Sequence, residues 1–133
     1  SLFHRYTKSG VDRMSFLNTH NEEEVTAEKA MEEFSANRAV FVDVREPQEW
    51  NAGIVPDSFL LPLSVLGSGK AEGTAVMAAL QAIDAPIVVY CHAGMRSLTG
   101  MDILKQILGR RNIFSMSGGV MAWPGELVAP KKK

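Results

Sequence analysis

Apolar positions recur along this chain with two different spacings, and the two alternate. After Val25, the apolar residues Ala30, Met31 and Phe34 keep the 3.6-residue period of one helical face. Thr26 stands where an N-cap belongs, with Ala27 and Glu28 in the first turn, so the pattern predicts a helix from Thr26 to Phe34. The run Ala39 to Val44 is short, apolar and β-branched, and predicts a buried strand. Pro47 suits the first turn of a short helix over 47–52, and Ser58 to Leu61 predicts a second strand. Thr74 to Ile83 is helical in period. Pro86 to Tyr90 is apolar throughout, as a parallel strand covered on both faces requires. From Met95 to Leu108, Met101, Leu104 and Leu108 lie on one side and Asp102, Lys105 and Gln106 on the other, which predicts an amphipathic helix. Asn112 to Met116 predicts a last strand, and Gly118-Gly119 a turn into a short helix near Ala122 and Trp123. Strands alternating with helices from end to end predict an α/β fold with a mostly parallel sheet.

The flanks are polar. Residues 1–22 carry turn-like clusters (Lys8-Ser9-Gly10 and Asn18 to Asn21) and are expected to form a loosely ordered extension. Residues 23–127 form the domain, and 128–133 end in the basic tail Lys131 to Lys133, read as a solvated end. The acidic run Glu22 to Glu24 reads as a solvated face. The stretch from Gly67 to Gly73 is the one segment with a flexible composition. It looks like a phosphate loop but lacks the G-x-x-x-x-G-K-[ST] spacing.

Composition narrows the chemistry. The chain has 133 residues, 46% of them hydrophobic, 22% charged, with a net charge of −1. That suffices for one domain and gives no basic excess of the kind nucleic-acid binders show. No run approaches the ~20 apolar residues of a membrane helix. No signal peptide is visible, and a chain with one free thiol is expected in a reducing compartment, the cytoplasm. With one cysteine, Cys91, there is no intramolecular disulfide and no thiolate-rich metal site; His4, His20 and His92 show no ligand spacing, so neither a metal nor an organic cofactor is expected.

Cys91 follows the best strand and precedes a helix, where open parallel sheets place their chemistry. In Cys91-His92-Ala93-Gly94-Met95-Arg96-Ser97, a short loop entering a helix turns several amides toward one point, and the helix dipole adds to the field. Gly94 admits a backbone conformation that a side chain would block, and Arg96 and His92 add positive charge. Each effect favours the thiolate of Cys91. The bland alternatives are a small buried hydrophobe for Cys91, a surface side chain for His92 and a plain salt bridge for Asp43 and Arg45.

Three stretches, in order, resemble the rhodanese family. Asp43-Val44-Arg45-Glu46 with Glu49-Trp50 is similar to its D-V-R-E…E-[FYW] segment. Ile87 to Ser97 is similar to its strand and C-x-x-G-x-R loop, and Gly118 to Trp123 to its closing G-G-x-x-A-W. The resemblance implies a three-layer α/β/α fold with a five-stranded sheet. It implies that Cys91 accepts sulfane sulfur from a donor such as thiosulfate, as a persulfide, and passes it to cyanide or a thiol. His92, Ala93, Gly94, Met95 and Arg96 would bind the substrate, while Asp43, Arg45 and Ser97 support the loop. Expected partners are these small molecules and a protein sulfur acceptor, with the chain a monomer or weak homodimer. Trp123 is expected in the core. Where the family often shows G-H-I-P-G-A, this chain has Gly53-Ile54-Val55-Pro56-Asp57-Ser58, which leaves that turn and its hydrogen bonds open. His92 stands where many members carry arginine. Two rivals remain: a non-catalytic binding module, and a cysteine phosphatase, whose loop places arginine six positions after cysteine rather than five as here.

Overall fold

The computed structural model describes residues 23–130. In chain order the elements are β1 (Glu24–Val25), α1 (Ala27–Ser35), β2 (Val40–Asp43), a 3-10 helix (Pro47–Ala52), β3 (Phe59–Leu60), α2 (Leu63–Gly67), α3 (Ala75–Ala82), β4 (Ile87–Tyr90), α4 (Arg96–Leu108), β5 (Ile113–Met116) and a second 3-10 helix (Gly119–Ala122). The five strands form one sheet in the order β1-β5-β4-β2-β3, and every pair is parallel. This is the expected α/β architecture. The expected extension over 1–22 and the closing lysines lie outside the described residues.

The period of two along each strand sorts side chains into two cores. Val40, Val42, Ile87, Val89 and Ile113 face Leu66 of α2, Met77 and Leu80 of α3, and Met101 and Leu104 of α4. Phe41, Val88, Tyr90, Phe114 and Met116 face the opposite way, onto Ala27 and Ala30 of α1 and onto Trp123. Trp123 is in this core, its ring 5.5 Å from the rings of both Phe34 and Phe41. With about 25 cal/mol gained per Å² of apolar surface removed from water, two fully covered faces supply the main driving force for this sheet.

Local capping follows the sequence. Thr26 accepts from the Lys29 amide at 3.1 Å, and Thr74 from the Met77 amide at 3.2 Å. Two elements differ from expectation. Glu24 is exposed, as the reading of a solvated acidic run expects, but it also belongs to an unexpected strand, β1, and pairs with Ser115 of β5. The segment before the Gly67 to Gly73 stretch forms α2, and that stretch is pinned by Ala71, whose side chain is fully buried.

Candidate active site

Strand β4 ends at Tyr90, α4 begins at Arg96, and Cys91 to Met95 bridge them. The loop turns because its carbonyls are held on the outside. The Cys91 carbonyl accepts from the Val120 amide at 2.8 Å and the His92 carbonyl from the Met121 amide at 3.2 Å. Gly119 makes this contact feasible. A Cβ on Gly119 would collide with the backbone carbonyls of Cys91 and His92, and its φ of +61° suits glycine.

With carbonyls outside, amides face inward. Cys91 Sγ accepts from the Gly94 amide at 3.1 Å and from the Ser97 amide at 3.3 Å, and the thiol lies 3.6 Å from Ser97 Oγ. Helix α4 has no side-chain N-cap of its own. The sulfur therefore sits where a capping oxygen would accept from the orphan first-turn amides. Burial pushes the Cys91 thiol up. The Ser97 hydroxyl, then the amides of Gly94, Ser97 and Ala93, outweigh it, and the net shift is downward from the usual thiol value. Cys91 is 1% exposed, so this is a sulfur buried among amides rather than among apolar groups alone.

The structure gives several expected residues different contacts. Ser97, expected only to support the loop, touches the sulfur through both its amide and its hydroxyl. That hydroxyl also donates to the Gly94 carbonyl at 3.2 Å and lies 2.7 Å from Ser115 Oγ, and both serines are fully buried. Among His92, Ala93, Gly94, Met95 and Arg96, the hydrogen bond to Sγ comes from Gly94, with the Ala93 amide adding to the field. His92, Ala93 and Met95 project to solvent. Arg96 donates to both carboxylate oxygens of Glu49, at 2.7 and 2.8 Å, and its charge also acts on Cys91. The hydrogen bond from Arg96 holds the Glu49 carboxyl down at about 2.

Asp43 and Arg45 do not reach the cysteine loop directly. Arg45 is buried and donates to Asp43 at 2.7 Å, to the Gly53 carbonyl at 2.7 Å and to the Glu49 carbonyl at 3.3 Å. This pair holds the segment that carries Glu49, and Glu49 in turn holds Arg96. Sequence reasoning quoted Glu49 in a motif but gave it no partner. It missed Ser115 and the contact role of Gly119; the signal for the latter was the glycine pair itself. Among the described residues no three His, Cys, Asp or Glu side chains cluster as a metal site would require.

Comparison with known proteins converges on one family. The model of the rhodanese-like domain matches residues 26–126. A Schizosaccharomyces pombe protein, provisionally named a mitochondrial thiosulfate sulfurtransferase, is 31% identical over 93 residues, 66% of this chain and 65% of that one. A Mycobacterium tuberculosis protein described as a probable adenylyltransferase/sulfurtransferase is 30% identical over 93 residues, 70% of this chain but 22% of its own length. This chain therefore spans less than two thirds of both relatives. Among solved structures, a rhodanese-related protein of Thermoplasma volcanium matches with a TM-score of 0.59 at 25% identity, over 77% of this chain and 90% of that one. A Rhodopseudomonas palustris protein of unknown function, described as a possible tyrosine phosphatase, gives 0.67 at 25% identity over 84% and 88%. Since the matched span takes in most of the sheet and the whole Cys91 loop, this chain belongs to the rhodanese-like domain family.

Proposed function

We propose that this protein is a sulfurtransferase that carries sulfane sulfur as a persulfide on Cys91. The observation that carries the reading is the pair of amides, Gly94 and Ser97, that donate to Sγ at the head of α4. Amides fixed in this way favour a thiolate, which is the nucleophilic form, and stabilise the terminal charge of a bound persulfide.

In the first half-reaction the Cys91 thiolate attacks the outer sulfur of a donor such as thiosulfate. A new S–S bond forms, the donor's own S–S bond breaks, and the electron pair leaves on sulfite. In the second, cyanide or a thiolate attacks the terminal sulfur, takes it, and returns the pair to Cys91. No redox partner is needed, and the two steps predict ping-pong kinetics. A protein thiol is a further acceptor class, and a reducing compartment such as the cytoplasm keeps Cys91 available between turnovers.

The phosphatase rival is weaker on geometry. A phosphoryl group needs the arginine fork to face the loop, and here Glu49 occupies both arms of Arg96. Intact mass spectrometry after exposure to thiosulfate tests the proposal. The expected result is the gain of one sulfur atom, localised to Cys91 and absent in Cys91→Ser. A parent protein that gains no sulfur, or a serine variant that transfers it equally well, overturns the reading.

A further inference from the structure

Glu46 takes no part in the two half-reactions, yet it joins two separate supports of the head of α4. Its backbone locks onto Glu49. The Glu46 amide donates to Glu49 Oε1 at 2.9 Å, and the Glu46 carbonyl accepts from the Glu49 amide at 2.9 Å. The same Oε1 accepts from Arg96 Nη1 at 2.7 Å. One carboxylate oxygen therefore ties the turn at Glu46 to the first residue of α4.

The Glu46 side chain reaches the other way, to α2. Its Oε1 accepts from the Ser64 hydroxyl at 2.7 Å and its Oε2 from the Ser64 amide at 3.1 Å. Helix α2 has Pro62 at its N-cap and no side-chain cap of its own. The Ser64 amide is thus an orphan first-turn donor, satisfied by a carboxylate from another segment, and the helix dipole favours that negative charge. Beside it the Leu63 amide donates to the Val44 carbonyl at 2.9 Å, so Val44 and Glu46 grip the head of α2 together. Helix α2 in turn packs on α4. The link is also electrostatic, since the Glu46 charge acts on Arg96 and Arg96 is coupled in the same way to Cys91. Ser64, Glu46, Glu49 and Arg96 form one hydrogen-bonded line from α2 toward the sulfur.

Building on the sulfurtransferase reading, we propose that Glu46 is a positioning residue for sulfur transfer: by clamping α2 and Glu49 at once, it holds Arg96 and the head of α4, and with them the amides that face Sγ. It acts through Glu49 and Arg96 and touches neither donor nor acceptor. The clamp depends on hydrogen bonds more than on charge. Glutamine has the same reach, its carbonyl accepting from the Ser64 amide and its NH2 donating to the Ser64 hydroxyl. Alanine offers neither contact.

The test compares Glu46→Gln with Glu46→Ala in the full chain. Both lose the same charge, so the difference between them isolates the clamp. One readout is the rate of sulfur loading on Cys91 from thiosulfate, followed by intact mass. The other is the pH dependence of Cys91 alkylation by iodoacetamide, which involves no sulfur transfer. Glu46→Gln is expected to load within about twofold of the parent and Glu46→Ala about tenfold more slowly, because the amides around Sγ lose their fixed placement. Alkylation of Glu46→Ala should have its midpoint at higher pH than that of Glu46→Gln. Ser64→Ala removes one arm of the clamp and leaves Glu46 in place; it should load about threefold more slowly than the parent, with its midpoint moved the same way. A role confined to capping α2 predicts a lower urea midpoint for Glu46→Ala, with loading and alkylation equal to those of Glu46→Gln wherever both variants are folded. That result overturns the inference and leaves the persulfide on Cys91 intact. If Glu46→Ala does not fold, Ser64→Ala decides, and parental loading and alkylation in that variant overturn the inference. A parent that takes up no sulfur sinks the sulfurtransferase reading, whereas the alkylation midpoints still decide whether Glu46 acts on the cysteine.

Discussion

Glu49 and Arg96 meet through two parallel hydrogen bonds, Nη1 to Oε1 at 2.7 Å and Nη2 to Oε2 at 2.8 Å. This bidentate pair links the 3-10 helix after β2 to the first residue of α4, and it anchors the loop that bends around Cys91. Replacing the carboxylate by an amide leaves the Arg96 charge uncompensated. In Glu49→Gln, Cys91 is expected to ionise at lower pH than in the parent, and thiosulfate to gain as a donor severalfold. The pH dependence of Cys91 alkylation checks the first effect, and steady-state kinetics the second. Stability follows a definite sign. The Glu49 carboxyl is lowered from 4.5 to about 2, so its contribution is complete above 4.5 and is lost as pH falls from 4.5 toward 2. Both side chains are about a third exposed, which limits the pair to about 1 kcal/mol or less. The difference in urea midpoint between parent and variant is therefore small at neutral pH and vanishes on acidification.

Ser97 and Ser115 form a buried hydroxyl pair behind the sulfur, 2.7 Å apart. Ser97→Ala removes the hydroxyl beside Sγ that helps hold the Cys91 thiol below its usual value, so Cys91 is expected to ionise at higher pH and alkylate more slowly at neutral pH. It also strands the Ser115 hydroxyl, which costs about 1–3 kcal/mol. Ser115→Ala strands only one contact of Ser97, because Ser97 still has the Gly94 carbonyl and Sγ. Removing both hydroxyls should cost less than the two single losses summed, since neither serine hydroxyl is then left buried opposite a missing partner. Urea unfolding of the three variants measures this coupling.

That serine pair also shows where the sequence stops being legible. Strands β2, β4 and β5 could be read because their residues are nearly all apolar, and α4 because Met101 and Leu104 recur at helical spacing. The position of Cys91 at a strand end followed from the same patterns. Ser97 meeting Ser115 depends on β5 lying next to β4, and no local pattern encodes a strand neighbour. Glu49 meeting Arg96 depends likewise on a loop from one strand reaching over the next. Strand β1 is two residues long and exists through its pairing with β5, so an acidic local sequence concealed it. Helix α2 has five residues, too few to show a period.

Gly119 is the point where the closing segment touches the cysteine loop backbone to backbone. Gly119→Ala puts a Cβ against the Cys91 and His92 carbonyls, and neither obstacle is a flexible side chain. The left-handed φ adds its own penalty. The expected loss is about 3 kcal/mol or more, together with misplacement of the amides that face Sγ. Urea unfolding should show the destabilisation. Sulfur loading should fall even at temperatures where the variant is fully folded. Met121→Ala, two residues away and exposed, should leave stability within about 0.5 kcal/mol of the parent.

The segment Gly53 to Ser58 departs from the family pattern, yet it is well tied. Asp57 stands where the family has glycine and keeps a left-handed backbone with φ of +66°. Aspartate is among the few side chains that tolerate this region. Ser58 stands where the family has alanine, and its hydroxyl bonds the Val55 carbonyl at 2.7 Å and lies 2.8 Å from the Tyr90 hydroxyl. Tyr90 also accepts from the Val55 amide at 3.0 Å, and burial raises its pKa, so it stays protonated as a fixed partner. Ile54, in place of histidine, is buried and exchanges two backbone hydrogen bonds of 2.8 Å with Val128. Asp57→Gly should therefore change stability by less than about 1 kcal/mol, since relief of the left-handed strain offsets the added freedom of the unfolded chain. Asp57→Val forces a β-branched residue into the same φ and should cost about 2 kcal/mol. If valine were tolerated as well as glycine in urea unfolding, the backbone at Asp57 would not be held left-handed, and the Ser58 to Tyr90 contact would lose its geometric basis.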